Sequence, residues 1–454
     1  MAEGADERIH DLLIVGAGPV GLALALALKD AGLDVVLVDA RARAAVAADP
    51  RDLALAHGSR LMLERLGVWA AIPKTAIEHI HVSQQGGLGR TLIDAAEHGL
   101  PALGYVASAG ALAAALRTAV DAAGITVMDE TEVIGLIPAA DVVSARLGGA
   151  GRPAATLRAR LAACAEGGLR ADDPEVVELD YRQDALIAAL DVAGGHRHTA
   201  FERFTGEGPL ALLPRGEGYA LVHVVRRESA DELLGLDAAA YLAHLQARLG
   251  HRVRLTGVGP RRRYPLQLRY RRAVTGVRTV WLGNAAQTLH PVAGQGFNLA
   301  LRDVWALADL LLRRGAEAAA RAVAGTKEAG VKGAGSKETG SKEAGSKEAG
   351  SKEAGSKEAG SKEAGSKEAG SKEAGSKEAA FDPGCAALLA AYARARDVDR
   401  FGTMRFTDTL VRVFSNDFAP LRHARGAALF ALDLLPPLRG FIARRMMFGA
   451  RAWP

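Results

Sequence analysis

The sequence predicts an α/β protein: a Rossmann-like dinucleotide-binding domain, an inserted mixed α+β domain and a helical C-terminal region. Three observations carry this. An apolar run is broken by a glycine-rich turn near the N-terminus. A β-rich stretch follows the first strands and helices. A second apolar strand, Thr279 to Gly283, then runs into a polar loop and a helix.

The first unit reads as strand Leu12 to Val15, helix Val20 to Ala31 and strand Val35 to Val38, a βαβ arrangement that implies a parallel sheet covered on both faces. Leu53 to Leu66 has a helical pattern, the stretch around His79, His81 and Ser83 alternates as a strand does, and Ala109 to Ala122 is again helical. Short strands follow at Asp141 to Leu147 and Ala155 to Leu161. The texture from Glu178 to Tyr270 is richer in strands, including Ala185 to Val192, Ala211 to Pro214 and Tyr219 to Val225. These readings divide the chain into a discontinuous cofactor domain (1–75, 104–177 and 271–324), a substrate domain (76–103 and 178–270) and a helical tail (381–454).

Between them, 325–380 is an insertion of low complexity, a Ser-Lys-Glu-Ala-Gly pentad repeated from Ser336. Each Glu precedes a Lys by four residues, as Glu338 and Lys342 do, which favours helix. The glycine in each pentad costs about 1 kcal/mol in a helix interior, and a five-residue period leaves no apolar stripe to bury. A solvated, disordered or weakly helical connection is expected.

Bulk properties narrow the function. The 454 residues carry a formal charge of only +5, without a cluster of basic residues interleaved with aromatics, which argues against nucleic-acid binding. The two cysteines, Cys164 and Cys385, stand far apart and outside any metal-ligand spacing, so no disulfide or metal site is expected and a reducing cytoplasm is. The uncharged run Leu12 to Leu28 is too short for a membrane span and is interrupted by three glycines and Pro19.

Two motifs carry chemistry. Gly16-Ala17-Gly18-Pro19-Val20-Gly21 lies between a strand and its helix. Gly16 permits the turn, Gly18 the approach of a pyrophosphate, and Gly21 close packing of helix on strand, while Asp39 ends the next strand where it can accept from a ribose hydroxyl. The second motif is the run from Leu282 to Leu299, containing Asn284, His290, Pro291, Gly294, Gln295, Gly296 and Asn298. Its glycines suit a backbone passing close to a flat ligand, and the helix that follows favours negative charge at its start.

That run resembles the second FAD-binding signature of the single-component aromatic hydroxylases. It is most similar to the branch that hydroxylates polyprenylated methoxyphenols in ubiquinone biosynthesis, which shows Asn where Asn284 stands. Ala200 to Thr205, Gly208 to Pro214, Tyr264-Pro265-Leu266 and Thr407 to Val411 match the same branch. The resemblance implies that Gly16, Gly18, Gly21 and Asp39 hold the ADP half of FAD and that Arg51 lies near the flavin. It sets Asn284 by the pyrophosphate and ribityl chain, with Pro291, Gly294, Gln295, Gly296 and Asn298 around the isoalloxazine.

It further implies NAD(P)H as co-substrate, O₂ activation through a flavin C4a-hydroperoxide, and a prenylated phenol as substrate. No catalytic side chain is assigned, and His290 is only a conceivable base. Two departures stand out: the usual Asp-Gly-Ser element is Glu166-Gly167-Gly168, and the helix from Ala109 lacks a polar residue near its start. The first leaves open a non-catalytic flavoprotein scaffold in a quinone-biosynthesis complex, and a hydroxylase of a soluble phenol is the other alternative. The stretch Leu421 to Phe448, with Arg422, Arg425, Arg439, Arg444 and Arg445, suits either packing on the cofactor domain or peripheral contact with the cytoplasmic face of the inner membrane.

Overall fold

The computed structural model describes residues 5–87, 89–149, 155–169, 173–332, 381–415 and 419–449. The chain opens with β1 (Ala5–Val15), α1 (Pro19–Ala27), β2 (Val35–Val38) and the short α2 (Arg43–Ala47). Leu12, Leu13 and Ile14 have no solvent contact, and burying each of them stabilises by about 1.5–3 kcal/mol. α1 stops before the expected Ala31 because its last turn tightens, Leu28 N–H donating to Ala25 O and Lys29 N–H to Leu26 O, and Gly32 then adopts a left-handed φ of 66°.

Next come β3 (Asp52–Ala56), α3 (His57–Arg65), β4 (Lys74–Ile77), β5 (His79–Gln84), β6 (Arg90–Asp94), β7 (Gly104–Ser108) and α4 (Ala109–Ala122). β3 corrects the expectation of a helix from Leu53. A short run such as Leu53-Ala54-Leu55-Ala56 suits either state, and antiparallel pairing with β7 (Asp52↔Ser108 to Ala56↔Gly104) decides for strand. β3, β7 and β4 form a small sheet of their own.

β8 (Thr126–Met128), β9 (Glu132–Pro138), β10 (Val143–Gly148) and β11 (Ala155–Cys164) complete most of the first large sheet. β12 (Val176–Ala193), β13 (Thr199–Phe204), β14 (Pro209–Arg215), β15 (Gly218–Arg226), α5 (Arg227–Gly235), α6 (Ala238–Leu249), β16 (Arg254–Val258) and β17 (Arg262–Arg271) follow, then β18 (Thr275–Gly276), β19 (Thr279–Trp281) and β20 (Gln287–Thr288). The first sheet has the order β18-β19-β11-β1-β2-β8 and is parallel from β19 to β8, with β10 and β9 added antiparallel. The second has the order β20-β17-β12-β15-β14-β13-β5-β6, with β16 beside β12, so β20 joins the second motif to the β-rich region.

The remainder is α7 (Gln295–Lys332), α8 (Ala386–Phe414), α9 (Ala419–Leu434) and α10 (Pro436–Phe448). Two compact units result, Met1–Arg313 with Asp382–Pro454, and Arg314–Phe381. The pentads from Ser336 onward lie outside the described residues. Cys164 is buried and Cys385 half-buried, and both are free thiols.

Candidate cofactor and substrate site

The first motif is built by close packing. A Cβ on Gly16 (φ 105°) would sit 2.6 Å from Ala165 O at the end of β11, and one on Gly21 would meet the carbonyl oxygen of Gly16. Both positions therefore demand glycine. Gly18 caps α1 without a side-chain hydrogen bond, and Pro19 occupies the first turn, so the helix presents bare backbone N–H groups at its positive end. That is a site for a pyrophosphate.

Asp39 closes the cradle. It accepts from Ala17 N–H at 2.7 Å, from Arg41 N–H at 2.8 Å and from the Arg41 guanidinium. Burial raises its pKa, but the hydrogen bonds and charge of Arg41 outweigh that and hold it below the ordinary carboxylate value. Arg51 is exposed and grips Asp49, while Arg51 O accepts from Ala109 N–H at 2.8 Å and so pins its loop to the start of α4. α4 itself is capped by Ser108, whose side chain accepts from Ala111 N–H. Glu166 is exposed beside the glycine turn.

The second motif meets the first through Gly283. At φ 56°, a Cβ there would lie 3.1 Å from Val20 and 3.2 Å from Ala300, which brings Asn284 to the start of α1. Gly294 is equally tight, its Cβ position being 2.7 Å from Ala54, whereas Gly296 has open space. Asn298 has its side chain fully engaged within the chain. Its Nδ2 donates to Ala54 O (2.9 Å) and Gly294 O (2.8 Å), and its Oδ1 accepts from Ala56 N–H (2.8 Å) and Ser59 Oγ (2.7 Å). All its capacity goes into tying β3 to the loop. Gln295, also buried, donates to Met446 O.

His290 is 1% exposed, its Nδ1 accepts from Val292 N–H at 3.1 Å, its Nε2 is buried without a hydrogen-bond partner among the described residues, and burial pushes its pKa down to about 3. It is a neutral ring that shapes the turn.

The loop Pro291, Val292 and Gly294 forms one end of an apolar cavity of about 260 Å³. β5, β13, β14 and β15 supply one wall, and α8, α9 and α10 another. A smaller cavity of about 80 Å³ adjoins it, sharing Ala54, Ile77, Ile80 and Gly294 and continuing along α10.

Two groups of polar residues around the site escaped the sequence reading. One is a buried network behind the loop. Asp303 accepts from Gly283 N–H (3.1 Å), Gln287 Nε2 (2.8 Å) and Arg396 Nε (2.7 Å). Arg396 and Arg302 both donate to Asp399, and Arg400 donates to Gln287 Oε1. Their partners lie about a hundred positions apart, so no local pattern reveals them. The other is Glu202 on the cavity wall, for which the only signal was an acid alternating with Ala200 and Phe204 on one strand face.

Glycine cradle, uncapped helix, ionised Asp39 and the flat loop together fit a flavin dinucleotide. A family model described as an FAD binding domain matches residues 10–326. The ubiquinone hydroxylase UbiL of Rhodospirillum rubrum is 30% identical over 98% of this chain and 91% of its own length. The 3-demethoxyubiquinol 3-hydroxylase of Escherichia coli is 29% identical over 66% of this chain and 79% of its own. Among solved structures, the p-nitrophenol 4-monooxygenase PnpA of Pseudomonas putida aligns with a TM-score of 0.67 at 15% identity, covering 98% of this chain and 99% of that one, which speaks to the fold alone.

Proposed function

This chain belongs to the FAD-dependent ubiquinone hydroxylases, and we propose that its own substrate is a polyprenylated methoxyphenol, hydroxylated on the ring with NAD(P)H and O₂. The observation that carries the substrate reading is the apolar cavity that starts on the Pro291–Gly294 loop and continues beneath the C-terminal helices. Bound FAD supplies the redox chemistry, taking reducing equivalents from the nicotinamide and activating oxygen.

The chain's residues do the rest. Gly16, Gly18 and the start of α1 hold the pyrophosphate, Asp39 accepts from the ribose, and Asn284 stands where the two motifs meet. Asn298 ties the Gly294 loop to β3 and Asp303 ties Gly283 to α8, which would hold both motifs in fixed geometry around bound FAD. Aliphatic and aromatic walls exclude water, which protects the activated oxygen from being wasted.

Access from a membrane is part of the proposal. Leu429, Leu432, Ile442 and Met446 of α9 and α10 line the cavity, while Phe430, Leu434, Leu438 and Phe441 of the same helices and Leu435 between them are between 44% and 62% exposed. No single helix among the described residues is long and apolar enough to cross a membrane. An exposed apolar patch suits lying on the surface, here the cytoplasmic face of the inner membrane. Of the arginines in this stretch, Arg425 is buried, Arg439 pairs with Glu97 at 2.9 Å, Arg444 is exposed and Arg445 half-buried; the side chain of Arg422 lies outside the described residues.

Anaerobic addition of NADPH or NADH with a prenylated methoxyphenol is expected to bleach the flavin, and air to restore it with a product one oxygen heavier. A flavin that stays oxidised would replace this reading with that of a scaffold in a quinone-biosynthesis complex. Flotation with anionic vesicles tests the membrane arm: wild type should float, and Leu434→Ser with Phe441→Ser should not.

A further inference from the structure

The cavity wall is aliphatic or aromatic at every lining position on its strands and helices except Thr91, Glu202 and Arg439. Thr91 gives its hydroxyl hydrogen to Leu429 O at 2.8 Å, and Arg439 is paired with Glu97. Glu202 is different. Strand register sets Val82, Glu202, Ala211 and Val222 in one row across β5, β13, β14 and β15, and all four line the cavity, so its side chain points inward. Its Oε1 is buried with no hydrogen-bond partner, and among the described residues no ion pair reaches the carboxyl. A buried carboxylate oxygen without a partner costs free energy, so a ligand group that satisfies it gains by the same interaction.

We propose that Glu202 binds the ring hydroxyl of the phenolic substrate and accepts its proton during hydroxylation. The transfer is simple: the phenol O–H bond breaks, the proton passes to a Glu202 carboxylate oxygen, and the electron pair stays on the phenoxide oxygen. The ring becomes richer in electrons at its ortho and para carbons, as attack by an electrophilic oxygen requires. The neutral acid then returns its proton to product or water.

The surroundings suit a base working near neutrality. Burial alone pushes Glu202 up to about 7. The other titratable groups nearby are committed: Arg439 to Glu97, Arg425 over the ring of Phe414, and Tyr181 to Asp408. Arg203 alternates with Glu202 onto the other face of the sheet, and His81, which pairs with Phe201, shares that face.

This inference rests on the phenol-hydroxylase reading, and the test separates the two. FAD-loaded wild type and Glu202→Gln are titrated from pH 5 to 9, without nicotinamide, with 4-nitro-2-methoxyphenol, whose phenolate is visible by absorbance. The wild-type complex is expected to show phenolate near neutral pH, and the Glu202→Gln complex only at least one pH unit higher. In turnover with a prenylated 2-methoxyphenol, Glu202→Gln should lose about a hundredfold in kcat near pH 7, recover as pH rises, and leave KM within about threefold. Glu202→Asp, which keeps the carboxyl, should recover part of the rate. Identical titrations and pH profiles in wild type and Glu202→Gln would overturn the role of Glu202 alone. Wild type that neither binds nor hydroxylates a phenol would overturn the hydroxylase reading and this inference with it.

Discussion

Asp303 is a buried carboxylate behind the second motif and Glu202 a half-buried one on the cavity wall, and their surroundings are opposite. Asp303 accepts from a backbone N–H, an amide and a guanidinium, inside a network that runs on to Asp399, Arg302 and Arg400. Glu202 faces a cavity, and its buried Oε1 has no hydrogen-bond partner among the described residues. A fully paired acid holds a loop in one geometry, while an unpaired one stores the cost of its burial until a ligand arrives. The cofactor side of the site is thus preorganised by the protein, and the substrate side is completed by the substrate.

Breaking the paired acid should have the largest effect. Asp303→Ala takes away one of the two carboxylates that hold the buried Arg396 and leaves Gly283 N–H and the Gln287 amide without their acceptor, and unfolding of the FAD-loaded protein in urea should show a loss of about 3–5 kcal/mol. If Asp303→Ala proved no more costly than Glu202→Gln, the contrast between the two acids would fail.

Gly21→Ala comes next. Its Cβ would collide with the Gly16 carbonyl, and displacing the turn costs about 1–3 kcal/mol, a factor of about 5–150 in FAD affinity, measurable by flavin release on dilution. Asn298→Ala should cost about 1–3 kcal/mol, read as a lower urea midpoint, because two carbonyls, an N–H and a hydroxyl lose their partner together.

Glu202→Gln sharpens the comparison through pH. In the folded chain the carboxyl titrates at about 7, and in the unfolded chain at about 4.3. Between those values the folded state binds more protons, so this group's contribution lowers stability as pH rises through the window and is constant outside it. Wild type minus Glu202→Gln isolates that slope from His290 and His223, whose depressed values act in the opposite sense. A flat difference curve would contradict the burial of an unpaired acid.

The glycine turn, its flanking strand and helix, Asp39 and the loop around Pro291 were legible because each follows from local pattern: apolar runs, turn residues and helix starts. Leu53 to Ala56 was misread because a short apolar run carries no decisive period, and only pairing with β7 selects the strand. Asn298 belongs to the second motif by sequence, yet its partners Ala54, Ala56 and Ser59 lie some 240 positions away, so its role as a tie could not be read locally.

By itself the sequence determined the dinucleotide fold and the phosphate cradle, since backbone sterics and helix dipoles act over a few residues and leave their mark in residue type. Only the tertiary structure decided that His290 is a buried neutral ring in the turn, that Asp303 is locked to α8, and that Glu202 lines an apolar cavity with its Oε1 unpaired. Burial and hydrogen-bond partnership are properties of what the fold brings near, and they set the charge and chemistry of a side chain more strongly than its identity does.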